Sequence, residues 1–185
     1  MPYGYTGKTL HVDLSNRKID VEDNDETFYR NYLGGRGVGY RYLLQQVPPG
    51  TDPFAPENIL VLATGVMTGS PLAASCRFAA VGKSPLTGAA GESEAAGFFG
   101  PELKKAGFDT IVFQGKSEKP VYLWVYDGKA ELRDATPWAA LGARAAEDAI
   151  RDEMGSRKIR VAQTGLAGMN GVLYANMTNN LSNFN

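Results

Sequence analysis

An α+β fold with more strand than helix follows from three features of the sequence. Short runs of strand length recur, at residues 8–14, 59–63, 110–113 and 121–126, each bounded by Gly, Pro, Asn or Asp. Helical periodicity appears only in a few short stretches. No linker divides the 185 residues, a length that suits one domain, 1–185, with a sizeable core.

Residues 8–14 alternate strictly, with Leu10, Val12 and Leu14 on one face, and 18–21 alternate again after the turn Ser15-Asn16, which predicts a β-hairpin. His11 falls on the opposite face and reads as an exposed strand histidine. Asn24 or Asp25 caps a helix to about Leu33, with Phe28, Tyr29, Tyr32 and Leu33 as its apolar stripe. Gly34-Gly35-Arg36-Gly37 ends it, and a second helix is expected over about 38–46, stopped by Pro48-Pro49-Gly50. Residues 51–58 read as loop and 59–63 as a strand buried on both faces. The turn after it contains Met67, expected in the core. Its Thr/Gly/Ser/Pro composition is echoed at 83–88, a short sign of internal duplication.

Downstream, 101–106 is a short helix with an early proline, closed by Gly107. Residues 110–113 are a strand, and 121–126, Asp127-Gly128 and 129–133 form a hairpin with a type I′ turn signal. A helix over 141–154 turns Ala145, Ala149 and Ile150 inward. Strands are expected at 159–162 and 172–176, flanking a glycine-punctuated turn at 165–171. The Asn-rich tail 177–185 reads as a chain cut inside a structured segment; a frayed natural terminus is the plainer alternative.

The stretch 75–100 carries the chemistry. Arg77 opens a short apolar run, Lys83 enters a turn, and residues 88–100 are almost all small, with Gly88, Gly91, Gly97 and Gly100. Such a run lets backbone approach a partner, and successive N–H groups can form an anion-binding concavity. Arg77 and Lys83 would neutralise charge there, and Arg36, between glycines at a helix start, is a further anion candidate whose plainer reading is a solvated loop arginine. The run is neither a Walker sequence nor a G-x-G-x-x-G fingerprint, and its plainer reading is tight turns or close-packed backbone.

Several classes are disfavoured. The formal net charge of −1 with interspersed signs offers no nucleic-acid footprint. The apolar-leaning stretch 59–81 is interrupted by Gly, Thr, Pro and Arg, so no membrane span is expected, and the N-terminus is no signal peptide. Cys76 is the single cysteine, which fits a reducing, cytoplasmic setting. With one cysteine and one histidine the chain cannot build its own zinc or iron–sulfur site.

Tyr3-Gly4-Tyr5-Thr6-Gly7-Lys8, Val12-Asp13-Leu14, Leu33-Gly34-Gly35-Arg36-Gly37, Ala63-Thr64-Gly65, Thr68-Gly69, Lys83-Ser84-Pro85-Leu86-Thr87-Gly88, Gly97-Phe98-Phe99-Gly100-Pro101-Glu102-Leu103-Lys104, Ala106-Gly107-Phe108-Asp109, Lys119-Pro120-Val121-Tyr122 and Arg133-Asp134-Ala135 occur in order. Together they resemble the N-terminal domain of the tungsten-containing aldehyde ferredoxin oxidoreductases. The resemblance implies a mostly β domain of two related mixed or antiparallel sheet halves. In the family it seats a bis-pterin tungsten, or occasionally molybdenum, cofactor with magnesium at its phosphates. It further implies oxidation of aldehydes to carboxylic acids, with electrons passing through a [4Fe–4S] cluster to ferredoxin. Cluster and most pterin loops belong to later helical domains of the same polypeptide, so the domain alone is not expected to be active. Its interface with those domains, when bare, leaves homo-oligomer formation open.

The cofactor-binding positions carried over are Arg77, Ser93, Glu94, Ala96, Gly97, Asn183 and Phe184. Arg77 matches a family arginine at the cofactor. Glu94 stands where the family usually has asparagine, Ala96 where it has glycine, and Asn183-Phe184 where it has an Arg-Ala pair. A carboxylate facing phosphates at about 4 Å would cost roughly 4 kcal/mol at intermediate dielectric. Glu94 would then oppose the cofactor unless magnesium intervened or pterin N–H groups donated to it. The rival expectation is a non-catalytic binding or assembly module that kept the fold and lost the cofactor.

Overall fold

The computed structural model describes residues 4–181 and the backbone of residues 183 and 184. Its centre is a six-stranded mixed sheet in the order β2-β1-β6-β3-β4-β5. The strands are β1 (Lys8–Asp13), β2 (Lys18–Asp23), β3 (Ile59–Thr64), β4 (Phe78–Lys83), β5 (Ala90–Ala95) and β6 (Thr110–Gln114). Only β1 and β6 pair in parallel; the other neighbours are antiparallel. The α+β class with more strand than helix therefore holds. The two segments that echo each other in sequence begin in β3 and β4, side by side in this sheet.

One sheet face is covered by α2 (Gly35–Gln46), whose Val38, Tyr42 and Leu43 pack on Val61, Ala63, Ala79, Val81 and Val112. The fit is close. A Cβ on Gly39 would lie 2.4 Å from Val81 Cγ2, so only glycine lets the helix approach this far. The helix preceding it, α1 (Glu26–Tyr32), is capped by the Asp25 carboxylate, which accepts from Phe28 N at 2.8 Å. The junction overturns one boundary. Gly35, Arg36 and Gly37 form the first turn of α2 rather than a spacer, because Leu33 takes the left-handed cap (φ 59°) and lets the new helix begin at once.

The opposite face holds Leu10, Val12, Leu62, Phe78, Ala95 and Ile111. Against it pack Leu103 of α3 (Phe99–Lys105) and the hairpin β7 (Val121–Tyr126) and β8 (Lys129–Asp134). Asp127 and Gly128 both have positive φ, 45° and 74°, as a type I′ turn needs. A cavity of about 880 Å³ separates this face from α4 (Ala143–Glu153) and the segment after it, and its lining is mainly aliphatic and aromatic. The α4 inner face differs from expectation. Ala146, Glu147 and Ile150 are buried while Ala145 is exposed, because Glu147 goes inside together with its partner Arg151.

The C-terminal part departs most from the sequence reading. The strand expected over 159–162 shrinks to β9 (Ala162–Gln163), and residues 172–176 form no strand. Residues 165–169 make the short helix α5 (Gly165–Met169) instead of a turn. Two-residue strands β10 (Thr178–Asn179) and β11 (Asn183–Phe184) complete a small antiparallel sheet with β9. These segments carry little apolar periodicity, so tertiary pairing rather than pattern decides them. Among the described residues no helix is long and apolar enough to cross a membrane.

Candidate functional site

The run 88–100, whose plainer reading is tight turns or close-packed backbone, contributes β5 at the edge of the sheet. Its register against β4 pairs Ala95 with Phe78, Glu94 with Ala79, Ser93 with Ala80 and Glu92 with Val81. Side chains alternate across a strand. Glu92 and Glu94 therefore share the face covered by α2, and Ser93 lies on the other. The small residues have poor strand propensity of their own, and pairing along β4 makes the segment a strand.

Arg36, in the first turn of α2, reaches down onto that face. Its Nη2 and Nε donate to Glu94 Oε1 at 2.8 and 3.3 Å, and its Nη1 pairs with Glu92 Oε1 at 2.8 Å. Arg77 comes from the residue just before β4. Its Nη1 lies 3.9 Å from Glu94 Oε2, beyond hydrogen-bond length, and 63% of its side chain is exposed. Arg36, neither a solvated loop residue nor an anion site by itself, is thus engaged by two carboxylates. Glu94 bridges two guanidiniums, one through each oxygen.

Beside these groups is a recess of about 220 Å³ lined by Gly35, Gly65, Met67, Thr68, Ala74 and Arg77, among others. Met67 is 52% exposed at its rim, not in the core, because the turn after β3 swings it outward. Thr68 fixes the turn: its hydroxyl accepts from Gly65 N at 3.0 Å and donates to Arg77 O at 2.6 Å. That bond sets the backbone from which Arg77 projects.

Beneath the turn is a buried ion pair that the sequence reading did not single out. Lys104 and Asp109 have side chains 2% and 1% exposed, with Nζ 3.7 Å from Oδ1. Lys104 Nζ also donates to the carbonyls of Gly4, Gly65 (2.7 Å) and Val66 (3.4 Å). Asp109 Oδ2 accepts from Thr6 N, Thr6 Oγ1, Gly7 N and Tyr29 OH, all within 2.9 Å. Burial lowers the Lys104 pKa, and the Asp109 charge opposes that shift. An aspartate abutting the apolar run 110–113 was the one available signal for this network.

The other sequence candidates separate. Ala96 and Gly97 follow β5; the Ala96 carbonyl accepts from the buried Asn179 Nδ2 at 3.2 Å, and Gly97 has φ +98°. Asn183 and Phe184 lie on β11, whose backbone approaches β5; their side chains are outside the described residues. Lys83, at the far end of β4, stands away from the recess. Among the described residues no group of three or more His, Cys, Asp or Glu is placed to hold a metal ion.

Residues 9–184 match the family described as aldehyde ferredoxin oxidoreductase, N-terminal domain. The chain belongs to this family. The aldehyde ferredoxin oxidoreductase domain is 41% identical over 179 residues to the tungsten-containing aldehyde ferredoxin oxidoreductase of Pyrococcus abyssi, covering 96% of this chain and 29% of that protein. It is 35% identical over 143 residues to the aliphatic sulfonate oxidoreductase, WOR-like subunit, of Pyrococcus furiosus, covering 76% and 23%. A solved structure, the active site complex BamBC of benzoyl coenzyme A reductase with 1,5-dienoyl-CoA, superposes with a TM-score of 0.93 at 38% identity, covering 97% of this chain and 27% of that one. The chain thus spans under a third of the length of these relatives.

The recess can be tested against an anionic, flat cofactor. An exposed guanidinium fork suits anionic oxygens. A Cβ at Gly35 would meet nothing within 4 Å, so the wall there is open main chain. Glu94, the group expected to repel phosphate, is already paired at 2.8 Å with Arg36. The residues present fit the anionic part of such a group.

Proposed function

We propose that this domain supplies one wall of the tungstopterin site of an aldehyde:ferredoxin oxidoreductase, with Arg77 as its principal cofactor contact. Ala96, Gly97, Asn183 and Phe184 are assigned to the same wall, whereas Ser93 lies on the other face of β5 and Glu94 serves the recess as the partner of Arg36 rather than as a cofactor contact. When bound, the cofactor supplies the two-electron chemistry that takes an aldehyde to a carboxylic acid. This chain's own residues bind and orient it. The remaining helical domains of the polypeptide complete the pterin site and hold the [4Fe–4S] cluster that passes electrons to ferredoxin. Magnesium at the cofactor phosphates and a cytoplasmic setting belong to the same reading.

The observation that carries it is the Arg77 side chain, 63% exposed beside the recess while its backbone is tied to Thr68. The relatives' names supply the metal and the reaction. Those names differ in substrate while the domain matches each of them, which supports giving this wall to the cofactor rather than to substrate choice. The rival, a module that has lost the cofactor, drew on Glu94, and the Arg36–Glu94 pair weakens it by balancing that charge.

The test is Arg77→Gln in the whole polypeptide that carries this domain, grown with tungstate and purified anaerobically. Loss of a charge-assisted hydrogen bond worth about 1.5–3 kcal/mol should lower tungsten and pterin content about tenfold or more. Loading equal to the unmutated protein would overturn the assignment.

A further inference from the structure

Glu94 is the one acidic group lining the recess, and its two oxygens are treated differently. Oε1 takes both Arg36 hydrogen bonds, at 2.8 and 3.3 Å, while Oε2 is left 3.9 Å from Arg77. Arg36 is held in place to do this. It sits in the first turn of α2, where a Cβ on Gly37 would lie 2.2 Å from the Tyr32 carbonyl and a Cβ on Gly39 would strike Val81. The helix can hardly slide or rotate, so the guanidinium spans Glu94 and Glu92 from a fixed base. One helical turn on, the Tyr40 side chain also lies beside Glu92, which completes the row.

We propose that Arg36 is a positioning residue for Arg77: by holding Glu94 it keeps the Arg77 guanidinium available to an anionic ligand in the recess. This rests on the reading of Arg77 given above. With Arg36 in place, two guanidiniums balance two carboxylates. Without it, Glu94 has Arg77 as its near cation, and the 3.9 Å gap is short enough to close by a side-chain rotation. Arg77 would then satisfy Glu94 instead of the ligand, and the recess would carry an extra negative charge. Asparagine at position 94 would need no such partner, so Arg36 matters to this chain because Glu94 is present.

A merely structural part for Arg36, clamping edge strand β5 to α2, predicts a different pattern. Exposed ion pairs contribute little to stability. The whole polypeptide is therefore compared as unmutated protein, Arg36→Gln, the double variant Arg36→Gln/Glu94→Gln, and Arg77→Gln. Tungsten and pterin per polypeptide are measured together with thermal unfolding. Arg36→Gln should lower loading about fivefold, the effect of one uncompensated charge at about 4 Å in water. Its unfolding midpoint should stay near that of the unmutated protein. Removing the carboxylate as well should restore loading to within about twofold, the coupling expected of contacting residues. Full loading of Arg36→Gln, or a double variant as poorly loaded as the single, would overturn the proposal. Full loading of Arg77→Gln would instead overturn the reading of the recess, whatever Arg36 does.

Discussion

Two charge clusters flank the turn after β3, and they are built on opposite terms. Lys104 and Asp109 are almost wholly buried, and between them they collect backbone groups from residues 4–7 and 65–66. Arg36, Glu92, Glu94 and Arg77 lie in water's reach and touch chiefly one another. A buried pair is costly to break because the survivor is left without solvent. An exposed cluster can exchange partners at little cost, which is what a ligand requires. The inner cluster holds the turn still; the outer one leaves the Arg77 side chain exposed beside the recess.

The contrast breaks most severely at Asp109. Asp109→Ala strands the Lys104 ammonium and the donors of Thr6, Gly7 and Tyr29, and should cost about 3–5 kcal/mol in urea unfolding. An unchanged urea midpoint would mean that water enters and replaces the carboxylate.

Alkaline pH sharpens the same contrast more gently. Burial, together with the Asp109 charge, raises the Tyr29 pKa far above its ordinary value, and burial pushes Tyr42 from 10.0 up to about 12. Below 10.0 both states keep these protons, so the stabilisation is fully present. Above it the unfolded chain ionises first, and stability falls as pH climbs toward the folded value of about 12 for Tyr42. Unfolding measured from about pH 9 to about pH 12 should show this decline, and Tyr29→Phe should flatten it. The outer cluster has the smallest expected effect on folding. Glu94→Gln should shift stability by no more than about 0.5 kcal/mol in the same assay. A larger loss would make Glu94 a structural residue.

What the sequence reveals follows the same division. Strict alternation in residues 8–14 and the Asp127-Gly128 turn disclosed two hairpins, because burial on one face and positive φ leave marks at fixed spacing. Arg77 stood out as the cation opening the apolar run 78–81, and it lines the recess. Edge strand β5 was not legible: Ala90-Gly91-Glu92-Ser93-Glu94-Ala95 has poor strand propensity, and it is made a strand by β4 beside it and Arg36 above it. Arg36 read as a loop residue because its glycines resembled a helix stop, whereas they admit the close seating of α2. For the buried pair only the apolar run after Asp109 gave a local sign, and nothing near Lys104 marked it for burial.

The recess has its dimensions set by a suture of main chain. Gly34 and Gly65 form a β-bridge, and a Cβ on Gly34 would lie 2.5 Å from the Thr64 carbonyl. Two walls drawn from segments some thirty residues apart in sequence are thus joined without any side chain between them. Substitutions in the lining would leave the gap between the walls the same, since no side chain spans it. Such a seam keeps the recess open whatever side chains line it.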